Sequence, residues 1–97
     1  MREKDQYQAD VQALIEAGRR LYARGMVAAN DGNLSCRADA GFLVTASGVS
    51  KGYLEQRHIL LLNSAGQAGP AEAHLPSSES KMHLAIYAAR PDVCAIA

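Results

Sequence analysis

The sequence predicts a layered α/β fold with a mainly antiparallel sheet. Three observations lead there. An amphipathic helical repeat fills the first quarter of the chain. A hairpin pattern follows it. A strand-length apolar run then precedes a second helical repeat and a final apolar stretch. With 97 residues, 48% of them apolar, the chain is one domain at most, with material for a core.

Tyr7, Val11, Leu14, Ile15, Gly18, Leu21 and Tyr22 recur at the spacing of one helical face, which predicts a helix over residues 5–24. Gly25 suits a left-handed cap behind it. Asn30-Asp31-Gly32-Asn33 is a turn cluster. Residues 33–38 alternate loosely, Asp39-Ala40-Gly41 makes a tight turn, and Phe42-Leu43-Val44-Thr45 is its hairpin partner. Ser47-Gly48 is a further turn. Residues 53–58 suggest a short helix, residues 59–62 a buried strand, and residues 64–70 a loop. Met82, Ala85, Ile86 and Ala89 predict a second helix over 78–89, stopped ahead of Pro91 because the residue before a proline avoids the helical region. Val93 to Ala97 reads as a strand. Its abrupt end in apolar residues leads to the expectation that the domain is truncated.

Composition narrows the function classes. Ten basic and ten acidic side chains cancel, so no general attraction to nucleic acid or anionic membrane is expected. No apolar run is long enough for a membrane span, and the charged start, Met1 to Asp5, does not resemble a signal peptide. Cys36 and Cys94 form no CxxC motif and read as two reduced thiols in a cytoplasmic protein.

Three small turns carry the candidate chemistry: Asp31-Gly32-Asn33, Ala46-Ser47-Gly48 and Pro76-Ser77-Ser78-Glu79. Each offers backbone N–H groups and short polar side chains, the donor set an oxyanion requires. The third also opens a helix, where the dipole favours an anion. Taken singly, each is an ordinary turn or cap. Glu79 is either a carboxylate favouring the helix dipole or a general base beside a bound anion. His58, His74 and His83 show no i, i+2 or i, i+4 pairing of the type that places two imidazoles on one metal. A hydrogen-bonded role is expected for His83. Lys51 and Arg57 are expected to be solvated, with Lys51 at most rimming an anion site.

In order and spacing, these segments resemble the class II aldolase/adducin family. The matching text is Gly32-Asn33-Leu34-Ser35, Leu43 to Gly48, Leu75-Pro76-Ser77-Ser78-Glu79, His83 and Arg90-Pro91-Asp92. The Pro-Ser-Ser-Glu block and the Thr-x-Ser-Gly turn bring the chain nearest to the L-fuculose-phosphate aldolase branch. The resemblance implies an α/β/α layered fold, of which residues 1–97 would be the N-terminal portion. It implies that Gly32, Asn33, Ser47, Gly48, Ser77 and Ser78 bind a substrate phosphate and that Glu79 is the catalytic acid/base. It implies a divalent metal, zinc in the aldolase, held by three histidines beyond Ala97, so no metal ligand falls within this chain. The metal would stabilise enediolate charge as a Lewis acid; burial and nearby anions would raise the Glu79 pKa while the metal would lower it, and the sequence does not say which effect wins. The implied activity is a metal-dependent aldolase acting on a phosphorylated ketose such as L-fuculose 1-phosphate, with the chain alone an inactive fragment. Alternatives are an epimerase or dehydratase of the same family, or a non-catalytic adducin-like assembly module. The implied partner is a small sugar phosphate, and the implied assembly is a homotetramer.

Overall fold

The computed structural model describes residues 2–27, 32–39, 41–70 and 72–97, with side chains from residue 5 onward. Asn30 and Asp31 of the first predicted turn and Ala40 of the hairpin turn lie outside the described residues. The elements are α1 (Arg2–Ala23), β1 (Ser35–Ala38), β2 (Gly41–Thr45), two 3-10 turns (Lys51–Tyr53 and Gln56–His58), β3 (Ile59–Leu62), α2 (Ser80–Ala89) and β4 (Ala95–Ile96). The sheet order is β3-β2-β1-β4, and every pairing is antiparallel.

The pleat explains the layers. Alternate residues of a strand face opposite sides, so the register divides the sheet cleanly. Leu34, Cys36, Ala38, Leu43 and Ile59 face α1, where they pack with Val11 and Leu14. Phe42, Val44, Leu60 and Leu62 face the other way and pack with Leu84 of α2. Each helix therefore covers one face, giving the expected α/β/α arrangement.

The helical repeat of α1 is the face that is buried. Val11 and Leu14 are core residues, and Tyr7, Ile15 and Leu21 pack around them. Gly25 follows with φ 71° as the expected cap, its N–H donating to the Tyr22 carbonyl. Gly18 is required by close approach. A Cβ there would stand 2.4 Å from the Lys51 carbonyl oxygen, so α1 rests directly on the backbone of the first 3-10 turn.

The first helix is Arg2–Ala23 rather than 5–24 and the first strand begins at Ser35 rather than residue 33; three further differences each have a local reason. The short helix expected over 53–58 is instead two 3-10 turns. Glu55 between them is extended, at φ −119° and ψ 167°, and its N–H donates to Nδ1 of His58 at 3.0 Å. The second helix starts at Ser80 rather than residue 78, because Ser77 to Glu79 form a turn. In that turn the Glu79 N–H donates to Ser77 Oγ and the Ser80 N–H donates to the Ser77 carbonyl. The final strand is only Ala95–Ile96, since the carbonyl of Val93 is taken by Arg37 Nε at 2.6 Å.

Arg37 was not anticipated as a structural residue. Its guanidinium also donates to the carbonyls of Tyr87 at 2.6 Å and Arg90 at 3.1 Å. A cation satisfying the last carbonyls of a helix stabilises that end. Arg37 therefore ties β1, the end of α2 and the approach to β4 together.

Candidate functional site

The site is built outward from Thr45, which is fully buried at the end of β2. Its N–H donates to the Leu34 carbonyl at 3.0 Å, and its carbonyl accepts the Ser77 N–H at 3.0 Å. Its hydroxyl accepts the Leu34 N–H at 3.2 Å. One residue thus joins the turn before β1, the turn after β2 and the turn before α2. The Ser47 N–H adds a bond to the Leu75 carbonyl at 2.8 Å, and Ala46 bridges Pro76.

This framework gathers the three predicted turns around one polar cleft of about 270 Å³. Its lining includes Gly32, Asn33, Ser47, Gly48, Ser77, Ser78 and Glu79, together with Ala46 and Lys51. All seven residues singled out in the sequence therefore meet at one place, although they are spread over nearly fifty positions. Gly32 and Gly48 have φ of 89° and 74°, the left-handed backbone that turns N–H groups outward at little cost in glycine.

The donor set needs one correction. The amides of Ser47 and Ser77 bond within the framework, so they are not the unshielded donors expected. Both residues line the cleft, and Ser77 Oγ accepts the Glu79 N–H at 3.3 Å. Gly32, Asn33, Gly48 and Ser78 also line the cleft.

Glu79 is the residue immediately before α2, at φ −84° and ψ −2°. Its side chain is exposed. Its position is nevertheless well anchored from behind. The Glu79 carbonyl accepts the His83 N–H at 3.1 Å. The His83 ring, 2% exposed, lies with Nδ1 2.6 Å from Ser35 Oγ. Ser35 Oγ is also 2.7 Å from the Tyr87 hydroxyl. The hydrogen-bonded role expected for His83 is the one observed, and it clamps the start of α2 to β1.

Lys51 departs furthest from expectation. It is 2% exposed, not solvated, because its 3-10 turn is pressed against α1 at Gly18. Its ammonium donates to the Val49 carbonyl. Arg57 is exposed and pairs with Glu55, as expected of a surface cation.

The fold also brings together two histidines that sequence spacing did not. The His58 and His74 rings meet edge to face at 5.6 Å, since the Ala46 N–H bonds the His58 carbonyl while Ala46 bridges Pro76. Among the described residues no three His, Cys, Asp or Glu side chains converge to hold a metal ion. Cys36 and Cys94 are both free thiols. Burial pushes the Cys36 thiol up to about 11, with Asp10 adding to it, so Cys36 is a packed thiol and not a nucleophile near neutral pH.

Burial also lowers the pKa of His58 and of His83. Both rings are held neutral in the fold, while the unfolded chain takes up protons below about pH 6.5. Stability is therefore fully present above that value and is lost as the pH falls through it. Urea midpoints measured between about pH 7.5 and about pH 5.5 should decline steadily. A midpoint that holds flat or rises would show that neither histidine is kept neutral.

Comparison with known proteins agrees with this fold. The family model described as class II aldolase and adducin N-terminal domain matches residues 12–97. A methylthioribulose-1-phosphate dehydratase of Methylococcus capsulatus is 39% identical over 84 residues, covering 86% of this chain and 40% of the relative. A 5-methylthioribulose-1-phosphate/5-deoxyribulose-1-phosphate aldolase of Rhodospirillum rubrum is 40% identical over 84 residues, covering 86% of this chain and 37% of the relative. Among solved structures, an L-fuculose-1-phosphate aldolase from Thermus thermophilus superposes with a TM-score of 0.74 at 32% identity, over 90% of this chain and 44% of that one. The chain thus spans about 40% of the length of the curated relatives it matches.

Proposed function

The chain belongs to the class II aldolase and adducin N-terminal domain family, and on that premise we propose that its cleft binds the phosphate of a ketose 1-phosphate and sets Glu79 to move a proton during lyase chemistry. The observation that carries this reading is the Thr45 framework. It gathers three donor-rich turns and one carboxylate around a single cleft.

In this reading the phosphate sits against the amides of Gly32, Asn33, Gly48 and Ser78 and the hydroxyls of Ser47, Ser77 and Ser78. Anchoring the phosphate converts its binding energy into orientation of the sugar carbons. Glu79, on the rim beside Ser78, then transfers a proton at a carbon near the ketone. Dehydration requires loss of a C–H proton and departure of a neighbouring hydroxyl as water. Aldol cleavage requires loss of a hydroxyl proton, breakage of the carbon–carbon bond and delivery of a proton to the new carbanion carbon. One carboxylate acting as acid/base serves either course. A divalent metal, with zinc as our proposal, would supply Lewis acidity when bound. No set of ligands for it converges among the described residues, and every step above is assigned to the chain's own groups.

The substrate moves away from the fuculose phosphate first expected. The names of relatives at 39% and 40% identity concern methylthioribulose and deoxyribulose 1-phosphates. These support a five-carbon ketose 1-phosphate with a modified fifth carbon. Relatives of this kind also favour an enzyme over an adducin-like assembly module. Homotetramer assembly and a cytoplasmic location remain part of the proposal. No helix among the described residues is long and apolar enough to cross a membrane.

The test is a turnover assay of the whole protein, with divalent metal supplied, on 5-methylthioribulose 1-phosphate, L-fuculose 1-phosphate and the corresponding free sugars. Turnover of a ketose 1-phosphate and none of its dephosphorylated form is expected. Equal turnover of both forms would contradict the phosphate assignment.

A further inference from the structure

His58 and His74 have no part in the chemistry assigned above, yet their rings meet just ahead of the turn that carries Ser77, Ser78 and Glu79. We infer that His58 is a pH-sensitive latch on that turn: its neutral ring holds residues 72–75 against the start of β3, and proton uptake by the ring releases them. This holds whatever the cleft binds.

The protonation state follows from the bond the ring accepts. The Glu55 N–H donates to Nδ1 of His58 at 3.0 Å, and a backbone N–H can only donate. Nδ1 therefore carries no proton, and the neutral ring keeps its hydrogen on Nε2. The same ring meets His74 edge to face, with centroids 5.6 Å apart. His74 is itself held by Glu72, whose carboxylate accepts the His74 N–H at 2.9 Å and lies 3.3 Å from its Nδ1. The His58 carbonyl accepts the Ala46 N–H at 2.8 Å. Beyond His74, the Leu75 carbonyl accepts the Ser47 N–H at 2.8 Å, and the Ser77 N–H donates to the Thr45 carbonyl at 3.0 Å. The ring contact and these two bonds mount the turn on the end of the sheet.

A proton on Nδ1 undoes this arrangement. The imidazolium has an N–H on both nitrogens, so Nδ1 would face the Glu55 N–H donor to donor. The ring, 8% exposed, must turn or withdraw, and its contact with His74 goes with it. The charged groups that act on the ring are Arg57 and Glu55 beside it and His74 on the segment packed against it. Helix α1 also packs on this turn and adds no charge acting on the ring among the described residues. Burial, followed by Arg57, lowers the pKa of His58 against the opposing pull of Glu55. The proton is therefore taken up below the usual histidine value of about 6.5. A ring that only fills space would leave the turn unchanged through that range.

Hydrogen exchange and ring titration of the 15N-labelled full chain test the latch together. The Ser47 and Ser77 amides, both hydrogen-bonded, report the turn, and the Val11 and Leu14 amides in α1 report the whole fold. Protection at Ser47 and Ser77 should fall roughly tenfold as the pH drops through the midpoint of the His58 ring, beyond any fall at Val11 and Leu14. His58→Asn puts an acceptor oxygen near the place of Nδ1 and takes up no proton. Ser47 and Ser77 should then follow Val11 and Leu14 at every pH. If Ser47 and Ser77 already keep step with α1 in the unsubstituted chain, or if His58→Asn retains the extra fall, the latch is overturned. Should His58→Asn fail to fold, the unsubstituted chain still decides, since each histidine ring shows its own midpoint. An extra fall that tracks His74 or His83 instead of His58 would also overturn it.

Discussion

Glu79→Gln is expected to lower turnover of a ketose 1-phosphate by roughly 10²- to 10⁴-fold, the range associated with loss of a general acid/base. The substitution keeps the shape of the side chain and removes its ability to take a proton. Glu79 is exposed and caps nothing with its carboxylate, so folding stability should change by less than about 0.5 kcal/mol. Inorganic phosphate should bind unchanged or somewhat tighter, because a carboxylate beside an anion repels it. The loss should therefore appear in kcat rather than in KM. A variant with nearly full turnover would return Glu79 to the alternative weighed from sequence, a carboxylate that only favours the start of a helix.

Tyr87→Ala carries the largest expected effect on stability. Tyr87 is 1% exposed. Its ring stacks on Phe42 with centroids 4.9 Å apart, and the Arg37 guanidinium lies 4.9 Å from the ring centre. Its hydroxyl holds Ser35. Removing a buried aromatic side chain costs about 3–5 kcal/mol, against a total of about 5–15 kcal/mol for a typical domain. A large share of the chain's stability is at stake. Tyr87→Phe keeps the stacking and loses one hydrogen bond, for about 1 kcal/mol. Urea unfolding of the two variants separates packing from polar contributions. Equal losses in both would mean that the hydroxyl, not the ring, is the essential part. Because His83 and Tyr87 share Ser35, loosening this end of α2 should also disturb Ser78 and Glu79.

The layers of the fold were legible in the sequence because they rest on periodicity. The helical repeat from Tyr7 to Tyr22 and the apolar run at Ile59 to Leu62 are properties of consecutive residues. The seven predicted residues that line the cleft were legible too, as candidates in turn-forming segments. Their convergence was not, since it depends on Thr45, whose bonds to Leu34 and Ser77 join segments more than thirty residues apart. Lys51 was misread for a related reason. A lysine is normally solvated, and its burial follows from Gly18, a residue on another element. The His58–His74 contact likewise has no signature in spacing. Arg37 looked like any strand arginine, because the carbonyls it satisfies belong to the end of α2 and to Val93.

The central claim is that three turns joined through Thr45 form one anion subsite beside Glu79. Titration of the 15N-labelled full chain with inorganic phosphate, followed amide by amide, tests it most directly. Saturable shifts with a single midpoint at Gly32, Asn33, Gly48 and Ser78 are predicted. A second cleft, lined by Arg19, Arg20 and Arg24 at the end of α1, is the natural competitor for an anion. Shifts confined to that arginine cluster, with the four turn amides unmoved, would contradict the account.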